Sequence, residues 1–262
     1  TILINGLVIY DTKNQKMISA DRLILDFKLG ELLSGKQINF DKAILQGASV
    51  DMLKNGPEGV FNLTYFIDEI KEKLVKKKPE DEVKAFQIDK VILTNSRFRM
   101  YRSDRELITH RFDQFHFTLT NLGANMSDFQ IIPGQIDFNI DALKCLDSAT
   151  GMSIEDVKTS FQFTRQAMVF QNMQLQTDRS RISQSMVFNY RHPSSIKEFV
   201  DSVKITANVK DAIIHSQDLA YFAPAMKKYN QVYKLQGFLE GPVKRFHAPF
   251  DWSLQKSLQL ID

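Results

Sequence analysis

The sequence predicts a mainly β protein: an elongated, twisted, antiparallel-type sheet forming an open hydrophobic groove, with a few short α-helices. Three observations predict it. About a dozen segments alternate apolar and polar residues at period two, the signature of strands with one dry and one wet face. Glycine and proline are scarce, 11 and 7 in 262 residues, or about 7% where average usage is near 12%, too few for the many tight hairpins of a compact sandwich or barrel. An internal repeat is present: Phe40-Asp41-Lys42-Ala43-Ile44-Leu45-Gln46-Gly47-Ala48-Ser49-Val50 recurs 48 residues later as Ile88-Asp89-Lys90-Val91-Ile92-Leu93-Thr94-Asn95-Ser96-Arg97-Phe98. Repeated strand units imply a sheet that grows by addition rather than one closed around a core.

The elements follow in order. Arg22 to Leu29 places Leu23, Leu25, Phe27 and Leu29 on one face. The repeat supplies the next strand, and Asn55-Gly56-Pro57-Glu58-Gly59 is a tight turn. Asn62 to Lys77 carries Leu63, Phe66, Ile67, Ile70 and Leu74 at helical spacing, capped by Asn62, with Lys71, Lys73, Lys76 and Lys77 at its negative end. The charged run to Lys84 reads as a solvated helix end and linker, since acid and base alternate over 78–84. Units at 1–80 and 81–262 therefore divide the chain into a first groove unit with its helix and a continuing set of strands. After the second repeat copy, strands are expected at His110 to Leu122, Gln135 to Asp141 behind the Pro133-Gly134 turn, Ser160 to Thr164, Ser185 to Tyr190, Lys204 to Lys210 and Phe246 to Leu254. Phe170 to Leu175 weakly echoes the repeat. Leu143 to Val157 fits one or two helical turns, Ser195-Ile196-Lys197-Glu198 is a capping box opening a helix to Val203, and Ser216 to Tyr229 fits a helix bent at Pro224.

Composition excludes several functions. Net charge is +3, with 34 Lys+Arg against 31 Asp+Glu, which argues against a nucleic-acid binder. A single cysteine, Cys145, excludes an internal disulfide and a multi-cysteine metal site. No run of apolar residues is long enough to span a bilayer as a helix. The chain opens at Thr1 inside an apolar run and stops at Asp262 in an alternating one, so a fragment of a longer chain is expected. A compact monomer of 30.2 kDa is expected to expose about 11,700 Å².

Catalytic chemistry is not expected. No phosphate-binding loop, dinucleotide fingerprint, nucleophile elbow or paired-histidine zinc motif occurs. His110, His116, His192, His215 and His247 are scattered; His110 and His116 lie roughly 20 Å apart along one strand, too far to share a metal. The pairs Asp26 with Glu31 and Glu155 with Asp156 sit at strand ends and caps, Trp252 is the lone tryptophan, and Cys145 has no activating neighbour. No cofactor and no metal are expected.

The unusual component is phenylalanine, 20 residues against 7 Tyr and 1 Trp. Phe27, Phe40, Phe112, Phe115, Phe117, Phe138, Phe161, Phe163, Phe170 and Phe188 sit on apolar faces, which fits either an ordinary β core or a long trough without polar anchors, suited to acyl chains. In the second reading Leu23, Leu25, Phe27, Leu29, Ile38, Phe40, Ile136, Phe138, Ile140, Phe161, Phe163, Phe188, Ile205 and Val209 line the groove.

The succession Ala20-Asp21-Arg22-Leu23-Ile24-Leu25-Asp26-Phe27, Leu32-Leu33-Ser34-Gly35-Lys36-Gln37-Ile38, Phe40 to Val50 and Gly59-Val60-Phe61-Asn62-Leu63 resembles the N-terminal part of the AsmA-like superfamily, and within it the TamB-type translocation and assembly modules. Phe86 to Met100, Leu175 to Ile182, Ser216 to Phe222 and Leu235 to Val243 are similar to further units of those proteins. The resemblance implies a taco-shaped β-sheet in the bacterial periplasm, held to the inner membrane by an N-terminal helix outside this sequence. It also implies bridge-like movement of phospholipid between the membranes, or assembly of outer-membrane proteins beside a BamA-like barrel reached through other regions. It transfers no catalytic residue.

Overall fold

A computed structural model describes residues 1–27, 38–56, 59–66, 86–191, 203–242 and 250–255, of which 38 and 250–255 are described by backbone alone. Thirteen strands form one sheet: β1 Ile2–Tyr10, β2 Lys16–Asp26, β3 Ile38–Gln46, β4 Ser49–Lys54, β5 Phe86–Arg102, β6 His116–Ile132, β7 Gln135–Asp147, β8 Ser153–Thr164, β9 Ala167–Thr177, β10 Arg181–Asn189, β11 Lys204–His215, β12 Val232–Pro242 and β13 Phe250–Gln255. Apart from β3 and β4, which share one row between β2 and β5, the strands follow one another in sequence order across the sheet. The mainly β class and the strand-by-strand growth expected from the sequence are observed.

The repeat explains the one departure from antiparallel order. β3 pairs β5 in parallel, Phe40 opposite Ile88 and Leu45 opposite Leu93, and β4 continues the register with Ser49 opposite Arg97. Each residue thus lies beside its own equivalent, 48 positions on. The equivalence extends to the backbone, because Gly47 (φ 60°) and Asn95 (φ 48°) are both left-handed. At Gly47 the chain breaks into β3 and β4, whereas Asn95 is absorbed as an irregularity in a continuous β5. Ile88 and Val91 are three residues apart yet bury in one cluster, and Phe40 and Ala43 beside them do the same, so β3, β5 and β6 break alternation together and keep their mutual register across this band, while β6 shifts against β7. Opposite, β6 has left-handed Asp128 (φ 53°). Such bulges bend strands and raise their twist.

Three expectations are corrected. The strand expected from His110 begins only at His116, because Asp113 accepts the N–H groups of Ile108 and Phe115 at 2.8 Å and folds the preceding residues into a loop. Leu143 to Val157 is not helical: β7 and β8 meet there around a turn in which Asp147 accepts from the N–H and hydroxyl of Thr150 at 2.9 and 2.6 Å. The sheet is mixed rather than wholly antiparallel, for the reason just given. The bent segment after β11 is present as a short helix, Ser216–Leu219, followed by a 3₁₀ turn, Pro224–Lys228. Residues 62–66 are helical, with Asn62 Oδ1 accepting from the N–H of Leu63 and Leu53 at 2.9 Å. The remainder of that expected helix and the one expected over 195–203 lie outside the described residues, apart from Val203.

The accessible surface is 16089 Å², well above the compact value of about 11,700 Å². Among the described residues few large apolar side chains are buried; the main cluster is Ala43, Ile88 and Val91, with Leu25, Phe40, Leu45, Phe86, Leu93, Met126 and Phe129 packed around it.

Candidate functional site

Residues paired across a sheet project from the same face, so the register fixes which side chains meet. Leu23 and Leu25 oppose Leu45 and Ala43, which oppose Leu93 and Val91. Val91, Ile88 and Phe86 oppose Met126, Phe129 and Ile131. Ile131 and Met126 lead to Ile136 and Ile140, then Ile136 and Phe138 to Phe163 and Phe161, and these to Met168 and Phe170. Met168 opposes Phe188, Phe188 opposes Ile205, and Gln184 opposes Val209. Every sequence-predicted groove residue whose side chain is described therefore lies on one face, and all are half-buried. Leu29 falls outside the described residues, and Ile38 is placed by backbone only, opposite Phe86.

Within this face eight phenylalanines form an unbroken ladder, Phe27–Phe40–Phe86–Phe129–Phe138–Phe161–Phe170–Phe188. Successive ring centroids are 6.3, 5.8, 6.4, 5.8, 4.7, 5.0 and 6.1 Å apart. Each ring comes from the next row of the sheet, so at about 4.8 Å per row the ladder runs roughly 34 Å. Edge-on and offset pairs of this kind add about 0.5–1.5 kcal/mol each beyond burial. The opposite face of the same rows carries Gln130, Asp137 and Gln162.

Sequence reasoning missed Phe86, Phe129 and the place of Phe170 in the ladder. Phe86 was legible as the repeat equivalent of Ile38. Phe129 was not, because the left-handed Asp128 breaks the alternation beside it. Conversely, Phe112 and Phe117 belong to a separate cluster with Phe98 and Phe222, centroids 5.4–5.9 Å apart, and Phe115 lies beneath the guanidinium groups of Arg102 and Arg105 at 5.0 and 5.4 Å.

The far ends of the strands are built from buried charge. Lys54, 2% exposed, donates to Asp104 at 3.0 Å, and Arg102, 4% exposed, grips both oxygens of Asp104 at 3.1 and 2.7 Å. The Arg102 guanidinium, with Lys54 beside it, holds the Asp104 carboxyl well below the usual carboxylate range. Burial pushes the Asp113 carboxyl up, but the N–H groups of Ile108 and Phe115 and the His116 ring outweigh it and leave it below its ordinary value. The His116 ring sits between Asp113 at 2.8 Å and the carbonyl of Arg102 at 2.7 Å. Asp218, buried, accepts from Thr177 at 2.6 Å and from Ser180, whose oxygen accepts the N–H of His215 at 2.9 Å.

No nucleophile and base face one another in these groups. Ser180 donates to a carboxylate, and the His215 ring accepts the Gln217 N–H at 3.2 Å and caps a helix. Asp26 engages Thr1 and Lys42 at 2.5 and 3.7 Å, Glu155 engages Ser153 at 2.6 Å and Asp156 engages Lys158 at 3.4 Å; Glu31 lies outside the described residues. Burial pushes the Cys145 thiol up to about 11, away from the reactive thiolate. Among the described residues no group of three or more His, Cys, Asp or Glu is placed to hold a metal ion, and no helix is long and apolar enough to cross a membrane. A concavity of about 410 Å³ between β5 and β8 is lined by Asn95, Asn121, Asn125, Lys144 and Asp156, where the left-handed Asn95 and Asn121 bend the sheet. Comparison of the chain with protein-family models, curated proteins and solved structures returns no match.

Proposed function

We propose that this chain is a non-enzymatic lipid-binding segment of a bacterial envelope protein, whose phenylalanine ladder holds the acyl chains of phospholipid and lets them move along the sheet. The observation that carries the reading is the ladder itself: eight half-buried rings with no polar residue between them. A protein core would bury these rings, and a small-molecule pocket would add a few placed polar groups. A surface without anchors offers each methylene about the same 0.8 kcal/mol of burial wherever it lies, the condition for sliding. The hydrocarbon of a bilayer is about 30 Å thick, so one acyl chain covers about half of the ladder. The resemblance to AsmA-like, TamB-type proteins supports the same reading, with a periplasmic location, inner-membrane anchorage outside this sequence and phospholipid passage between membranes.

Native mass spectrometry of the gently purified chain tests it. One or more phospholipids per chain are expected, and Phe138→Asp or Phe163→Asp should deplete them with circular dichroism unchanged, while Gln162→Asp on the polar face should not. Lipid retained by a folded Phe138→Asp chain would sink the assignment.

A second reading has its own observation. Along the edge strand β1, Ile2, Leu3, Val8 and Tyr10 are 43, 54, 39 and 57% exposed, and among the described residues β1 pairs with β2 alone. Such an edge is a template for an added strand, so the chain would serve as a β-scaffold for client strands of outer-membrane proteins. Protection of client-strand amides on mixing, with no lipid bound, would favour it.

A further inference from the structure

The end of the sheet opposite the ladder carries a second surface. The loop between β5 and β6 and the insertion between β11 and β12 are far apart in sequence but joined in space. The Phe112 N–H donates to the carbonyl of Tyr221 at 2.6 Å, and the rings of Phe112 and Phe222 lie 5.6 Å apart. The loop is locked by the Asp104 and Asp113 groups described above. The insertion is locked by Asp218 and by Ser216, fully buried, whose hydroxyl donates to the Tyr229 carbonyl at 2.7 Å.

On this rigid frame stand side chains that a frame of buried ion pairs does not need. Leu107 is 65% exposed and Phe222 50%. In the same two segments Arg105, Arg111, Lys227 and Lys228 are exposed, and none pairs with an acid among the described residues. Of the acids in the two segments, Asp104, Asp113 and Asp218 are consumed inside the frame, which leaves Glu106 alone at the surface. In a chain of net charge +3, the two joined segments thus carry four cations without an acidic partner, two of them resting on rings (Arg105 on Phe115 and Lys228 on Tyr229, at 5.4 and 5.0 Å), and two apolar tips. Exposed apolar tips accompanied by unneutralised cations are the composition of interfacial anchors, which seat Leu and Phe at the boundary of headgroups and acyl chains while cations meet anionic headgroups.

We propose that this knob docks on an anionic bilayer surface, with Leu107 and Phe222 inserted and Arg105, Arg111, Lys227 and Lys228 facing the headgroups. The proposal does not rest on the ladder, which lies at the other end of β5. It is tested by co-sedimentation of the chain with phosphatidylcholine vesicles containing about 30 mol% phosphatidylglycerol, and with pure phosphatidylcholine vesicles. Binding to the anionic vesicles is expected, weakened by high salt, and a Leu107→Glu/Phe222→Glu chain should bind about tenfold or more weakly. Both residues are exposed, so folding should persist, as near-ultraviolet circular dichroism will report. An independent readout uses Leu107→Cys labelled with an environment-sensitive fluorophore, since Cys145 is buried; its emission should shift to the blue on adding anionic vesicles. Phe138→Asp, which empties the ladder, should leave vesicle binding intact, so the two readings fail separately. Absence of binding to anionic vesicles, equal binding by the doubly substituted chain, or an unshifted probe would overturn the proposal and turn the surface toward a protein partner.

Discussion

The two ends of the strands are made by opposite physical means. Along the ladder, Phe27 to Phe188 repeat one residue type across eight rows, and every ring is only partly buried. At the knob, Lys54, Arg102, Asp104, Asp113 and Asp218 are buried or nearly so and each is bound to particular partners. Apolar contact is non-directional and roughly proportional to area, so the ladder tolerates many arrangements of whatever lies on it. Buried charge tolerates almost none, because an ion left without its partner costs far more than the pair contributes. On the proposed function the difference divides the work: the ladder would hold acyl chains that slide, while the other end holds a shape.

The comparison breaks most visibly at Asp104. Replacing it by alanine leaves Lys54 and Arg102 buried without a counter-charge, and should lower stability by about 3–5 kcal/mol, measured as a shift in the urea midpoint at pH 7. The same node predicts a pH dependence. The carboxyls of Asp104 and Asp113 are held below their ordinary values in the folded chain, so their contribution is complete above the usual carboxylate range and is lost as pH falls through about 4 and below. Urea titrations from pH 7 to pH 3 should show the wild type losing stability while the Asp104→Ala chain, lacking one of these groups, loses less.

Between the two ends lies the bulge band, where the repeat can be tested against itself. Gly47→Ala forces a side chain into the left-handed region and against the carboxylate of Asp21, for about 2 kcal/mol. At the equivalent position Asn95→Gly should change stability by less than about 0.5 kcal/mol, since glycine adopts that conformation freely. Equal costs at both positions would contradict the equivalence of the two units.

The ladder should give a milder stability response than Asp104. Phe161→Ala removes one rung, and because the ring keeps part of its surface in solvent the expected loss is about 2–3 kcal/mol, below the 3–5 kcal/mol of a fully buried phenylalanine, with bound lipid retained. A loss as large as that at Asp104 would mean that the rings form a structural core. Smallest of all is the effect of thiol reagent at pH 8: with Cys145 buried and its pKa raised to about 11, modification should follow unfolding and leave the folded chain untouched.

Much of the ladder end is legible in the sequence, and little of the knob. Alternation placed Phe138, Phe161, Phe188 and Ile205 on one face because period two survives wherever strands are regular. It lost Phe129 where Asp128 turns left-handed, since one extra residue reverses the faces. The repeat was legible as similarity, but that Ile44 lies beside Ile92 in parallel depends on a crossover through residues 55–85 that similarity does not encode. The knob was misread for a physical reason: the alternation of Phe115, Phe117 and Leu119 reads as one strand with the residues before it, while the deciding interaction is one aspartate, Asp113, that caps the loop through its side chain. Lys54 was invisible, because a lysine in a sequence reads as exposed, and only the convergence of Asp104 from 50 residues away makes its burial possible.

The most direct test of the ladder's role is photo-crosslinking with a phospholipid that carries a diazirine on its acyl chain, followed by peptide mapping. Labels on Phe40, Phe138, Phe161, Phe170 and Phe188, with none on Gln130, Asp137 or Gln162 of the opposite face, are predicted. Labels spread over both faces, or confined to the knob, would contradict the claim that acyl chains lie along the ladder.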